Sequence, residues 1–132
     1  MRDINVLGTA LQPCSGDQER ITGFDRSGMC KSHSSDAGSH HVCLDASKRV
    51  GGRNLCDHTG QSDWCKDVGN WCACEWAFAK LVAKVGCDAV PDVQCDATNR
   101  AALEHYKRRK DEPEVSAALE CLASLCGTSG VR

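Results

Sequence analysis

The sequence predicts a small, disulfide-rich α+β domain, with loops and short strands in its N-terminal half and about three helices in its C-terminal half. Three observations predict this. The chain has 132 residues, enough for a single domain with a modest core. Eleven residues are cysteine, about 8% and at the edge of disulfide-scaffold composition. Residue usage also changes near Asn70, from turn-forming Gly, Ser, Asp and Asn to apolar residues at helical spacing. Aromatic residues make up only 5% of the chain, so the core must be built mostly from Leu, Val, Ala and Cys.

In the first half, "CSGDQERITGFDRSGMC" and "KSHSSDAGSHH" are rich in turn formers. Short apolar stretches interrupt them at Ile4-Val6-Leu7, at Ile21 with Phe24, and at Val42-Cys43-Leu44. These read as loops and short strands. After Asn70, Cys74, Ala77, Phe78, Leu81, Val82 and Val85 recur on one helical face, with Glu75, Lys80 and Lys84 off it. Gly86 suits the end of that helix. A second helix is expected from Thr98, a capping residue, carrying Ala102, Leu103 and Tyr106. A third opens at Asp111 with Pro113 in its first turn. It lines Val115, Ala118, Leu119, Leu122 and Cys126 along one face and stops at Gly127.

The cysteine density favours disulfides and an oxidising compartment. Paired C-x-x-C knuckles of the zinc-finger kind are absent from the sequence. Eleven is odd, so at least one thiol is left over, pairs with another chain or binds something. All eleven, Cys14, Cys30, Cys43, Cys56, Cys65, Cys72, Cys74, Cys87, Cys95, Cys121 and Cys126, are candidate structural cysteines with one unpaired. Cys72 and Cys74 straddle the expected helix start, and a bond between them would be a strained ring. Helix phase sends Cys72 toward the loop-rich half and Cys74 toward a partner in the helical core. Cys121 and Cys126 point apart on their helix. One of them is expected to reach the loop "GCDAVPDVQC", which carries Cys87 and Cys95. Cys56 and Cys65 flank a polar loop and are placed to clip it.

A thiol redox or metal-binding alternative centres on Cys72-x-Cys74 with His40 and Cys43. Asp36, Cys14, Cys30, His33 and His58 are further metal-capable residues. Against it, the C-x-C spacing is one residue short of the redox motif. His33 and His41 lie in polar loop sequence, and His40 reads as a turn residue. A Cys-His nucleophile built on His40 has no local signature. The carboxylates show no isolated pair on an apolar background, so acid–base catalysis has no visible candidate. "VGGRN" lacks the lysine of a phosphate loop. Formal net charge is −2, which argues against nucleic acid. The one basic run, Lys107 to Lys110, is followed at once by acidic residues and reads as a solvated helix end. No apolar run approaches the roughly 20 residues of a membrane span. Trp64 and Trp71 are candidate partner-binding residues if exposed; with Trp76, they otherwise pack the core.

Five motifs then occur in a fixed order: "NVLGTALQPCS" (5 to 15), "TGFDRSGMC" (22 to 30), "DAGSHHVC" (36 to 43), "GNWCACEWA" (69 to 77) and "DATNRAAL" (96 to 103). Over residues 5 to 105 the chain resembles the uncharacterised family known as domain of unknown function 2237. The family pattern matches at Asp36, Gly38, His40, Val42, Cys43, Trp71, Cys72 and Cys74. It departs at Asn99, where the family usually has histidine, and between Asn54 and Asp67. The resemblance carries no established activity. It implies an older set of five cysteines (Cys14, Cys30, Cys43, Cys72 and Cys74) and an added set of six, with the odd thiol in the older set. The added cysteines and a helical extension over 106 to 127 look like algal members of the family.

The leading expectation is therefore a non-enzymatic, disulfide-stabilised domain without cofactor. It is secreted or in the thylakoid lumen and binds another protein, as an accessory subunit of a photosynthetic or other membrane complex. The alternative is the thiol or metal protein just described.

Overall fold

The computed structural model describes residues 3–14, 28–32, 40–45, 70–90 and 92–127. Expectations on Ile21, Phe24, His33, Asp36, Cys56, His58, Trp64 and Cys65 lie outside the described residues. Within them the chain is a small α+β fold. Strands β1 (His40–Asp45) and β2 (Asn70–Cys74) form an antiparallel pair. Helix α1 (Glu75–Val85) follows β2 directly. Two 3-10 turns, Cys87–Ala89 and Cys95–Ala97, lead to α2 (Ala101–Arg108) and α3 (Pro113–Cys126).

A two-stranded ribbon is marginal by itself, and here both of its faces are covered. Side chains alternate across a strand, and the burial follows that alternation. Val42 and Leu44 of β1 and Ala73 of β2 join the aliphatic core of Phe78, Leu81, Leu103, Tyr106, Val115 and Leu122. Cys43 and Cys72, opposite each other in the register, join a second cluster of Cys14, Cys30 and Ala97. The ribbon thus separates a helical layer from a cystine layer.

Among the described residues, four disulfides brace the two layers. Cys14–Cys43 and Cys30–Cys72 tie N-terminal segments to the ribbon. Cys87–Cys121 and Cys95–Cys126 tie α3 to the connection between α1 and α2. Both cysteines of α3 therefore reach the "GCDAVPDVQC" loop, where one was expected. With 29 to 42 residues between partners, each bond removes about 3.6–4 kcal/mol of unfolded-chain entropy.

Helix limits differ in two places from the sequence expectation. Cys72 and Cys74 both lie on β2, and helix begins only at Glu75. The strand ladder with β1 holds these residues extended, overriding their helical spacing. Thr98 does not cap α2. Its hydroxyl accepts the Cys43 N–H at 3.0 Å and donates to Gln94 O at 2.9 Å. The neighbouring Asn99 does the capping, its Oδ1 accepting the Ala101 N–H at 2.9 Å. α3 starts at Pro113, and Gly127 ends it with φ 65°. Gly86 ends α1 with φ 85°, a conformation that favours glycine, and donates to Val82 O at 2.9 Å.

Asn5 anchors the N-terminal segment. It is fully buried. Its Nδ2 donates to Thr9 Oγ1, Ala10 O and Asp96 O, and its Oδ1 accepts the N–H groups of Leu7 and Thr9. Asn99 extends the same network, donating to Asp3 Oδ1 at 2.8 Å and Cys30 O at 2.9 Å. The amide at the position where the resemblance implies histidine is therefore a structural hub.

Candidate functional site

The ladder between β1 and β2 breaks its register between His40 and Val42: His40 pairs with Cys74 and Val42 with Ala73. His41 is the extra residue. Strict alternation would place it on the Cys43 side, toward the cystine layer. A bulge re-aims the side chain, and His41 instead points at Glu75 in the first turn of α1.

Glu75 is fully buried. Its Oε1 lies 2.6 Å from His41 Nδ1 and its Oε2 lies 2.6 Å from His105 Nδ1. Each Nδ1 faces one oxygen of the carboxyl group at hydrogen-bond distance. The helix N-terminus adds favourable dipole potential for the negative charge. Among the described residues no lysine or arginine lies within ion-pair distance of Glu75, whose two carboxyl oxygens face the two imidazoles. Tyr106 donates its buried hydroxyl to the Glu75 carbonyl oxygen. Burial first, then the charges of Glu75 and Cys74, hold the Tyr106 phenol well above its ordinary range.

The cluster runs from the interior to the surface. His41 is 2% exposed, and its Nε2 finds no hydrogen-bond partner among the described residues. The His105 side chain is 30% exposed. Trp76 stacks on the His105 ring at 6.4 Å and meets Tyr106 edge-on at 5.8 Å. The Arg109 guanidinium lies 4.7 Å above the Trp76 ring. The His41 and His105 ring centroids are 5.7 Å apart.

Of the residues named for the metal alternative, His40 and Cys43 lie on β1 and Cys72 and Cys74 on β2. Cys43 and Cys72 are consumed by bonds to Cys14 and Cys30, so neither offers a thiolate. Sulfur atoms of Cys14, Cys30 and Cys72 do lie within 4.8 Å of one another, but as neighbouring disulfides. Cys74, expected to bond within the helical core, carries a free thiol and is half-buried. It has left the helix face on which that expectation rested. Trp71 is half-buried and packs against the aliphatic core, as does Trp76.

Sequence reading missed His41, Glu75 and His105. One signal for Glu75 was present: spacings of three, four and seven residues put it in line with Phe78, Ala79 and Val82, all buried. A carboxylate on an apolar stripe needs a buried partner. Nothing comparable marks His41, whose position depends on the bulge.

No described helix is long and apolar enough to cross a membrane. No curated protein matches the chain significantly. The family described as an uncharacterized protein conserved in bacteria, domain of unknown function 2237, matches residues 4–111. The chain belongs to that family.

Proposed function

We propose that this domain is a non-enzymatic, disulfide-braced protein-binding module of an oxidising compartment, secreted or lumenal, serving as an accessory subunit of a larger membrane complex. The observation that carries the reading is the consumption of Cys14, Cys43, Cys30, Cys72, Cys87, Cys121, Cys95 and Cys126 in bonds that close both layers of the fold. Such bonds persist in oxidising compartments and are rare in reducing ones. Their use as braces also favours binding over thiol chemistry at Cys43 and Cys72. Mass-spectrometric disulfide mapping of protein from its native source, alkylated before lysis, tests the compartment. The four bonds are expected intact; a folded protein with those eight thiols reduced would overturn the reading. A photo-crosslinker at position 71 tests the partner. One reproducible adduct is expected, whereas a monomer free of adducts in the same source would remove the binding role.

A further inference from the structure

We propose that His41, Glu75 and His105 form a binding site for a divalent transition-metal ion of the zinc or copper class. The three side chains come from β1, α1 and α2 and are 30 and 34 residues apart in sequence. Each offers a ligand atom, and these atoms lie within 4.8 Å of one another. Two imidazoles and a carboxylate are a donor set that zinc and its neighbours take readily. Calcium and magnesium, which need mostly oxygen ligands, are poorly served by it.

Two further observations point the same way. With metal–nitrogen bonds of about 2.0 Å, two imidazoles on one tetrahedral ion have centroids roughly 5 Å apart. Here they are 5.7 Å apart, so modest side-chain movement accommodates a shared ion. The second observation is His41 Nε2. With Nδ1 committed to Glu75, this buried nitrogen is either a lone pair without a donor or an N–H without an acceptor among the described residues. No protonation state satisfies it, and a half-satisfied buried polar network is costly. Glu75 supplies buried negative charge without a lysine or arginine at ion-pair distance among the described residues, and a divalent ion meets that charge directly. The half-exposed His105 marks the entry side.

Trp76, stacked on His105, supplies a reporter. The test uses the whole oxidised chain, stripped with a chelator and dialysed. Zinc is titrated by calorimetry, and copper(II) by quenching of tryptophan fluorescence. One saturable equivalent is expected, with affinity reduced at least tenfold in Glu75→Gln and His105→Asn, and unchanged in Cys74→Ser. If the substitutions unfold the chain, long-range 1H–15N spectra of the unaltered protein replace them. Zinc is then expected to shift the ring nitrogens of His41 and His105 and of no other histidine. Absence of saturable binding below about 0.1 mM would overturn the proposal, because structural and catalytic sites of this donor type bind far more tightly. So would zinc shifts at other histidines, or loss of binding in Cys74→Ser alone.

Discussion

Replacing Cys95 and Cys126 together by alanine isolates the stabilising effect of one cross-link. The bond spans 31 residues. In the chain-entropy model, closing a loop of that length costs the unfolded chain about 12 cal/mol/K, or roughly 3.7 kcal/mol at 25 °C. Cys95 is only half-buried, and Cys126 is 8% exposed at the end of α3. The packing lost with two sulfur atoms is therefore small beside the entropy. The double variant is expected to lose about 3–4 kcal/mol in urea unfolding followed by far-UV circular dichroism, with the remaining disulfides intact. Its denatured state is less constrained and exposes more surface, so the slope m should rise with the drop in midpoint. A loss below about 1 kcal/mol with unchanged m would refute this reasoning. It would mean that the unfolded chain is already confined by the neighbouring Cys87–Cys121 bond, which anchors the same helix.

Tyr106 is the sole tyrosine, so absorbance at 295 nm reads it directly. Its raised pKa means that the folded state keeps the proton while the unfolded state releases it near pH 10. The associated stability is fully present below pH 10 and is lost as pH rises through the folded value. Tyrosinate should therefore appear together with the loss of circular dichroism; ionisation near pH 10 in a fully folded chain would contradict the burial. Asn5→Ala removes donors to Ala10 O and Asp96 O and the acceptor for two backbone N–H groups. It should cost about 3 kcal/mol or more in the same urea assay. Gly86→Ala has open space for its Cβ but keeps a φ of +85°, so backbone strain alone should lower stability by about 1–3 kcal/mol. Alkylation of the native protein followed by peptide mapping should label Cys74, while the eight bonded cysteines described above remain unmodified until reduction.

The helical half was legible because it obeys period and punctuation. Phe78, Leu81 and Val82, then Leu103 and Tyr106, then Val115, Ala118 and Leu122 repeat at helical spacing and are buried. Pro113 and Gly127 bracket the last helix as their backbone preferences require. The "NWCAC" segment misled because its helical phase continues smoothly into α1, whereas pairing with His40–Asp45, a non-local interaction, makes it a strand. Asn99 and Thr98 exchanged roles for a similar reason. The Cys43 N–H claimed the threonine hydroxyl, and no local pattern announces a partner 55 residues away. Disulfide connectivity likewise follows from which segments the ribbon brings together. The candidate site was least legible, since one of its residues looked like a surface carboxylate and another like a loop histidine.

The bulge in β1 makes the site a matter of residue count as much as residue identity. Deleting one residue from the His40–Val42 stretch would restore even alternation while sparing Glu75 and His105. Histidine would then occupy the face turned toward Cys14 and Cys30, and Glu75 would lose one of its two imidazoles. In this fold a one-codon deletion could silence the cluster without substituting any residue that forms it, and a one-codon insertion in a regular ribbon could create it.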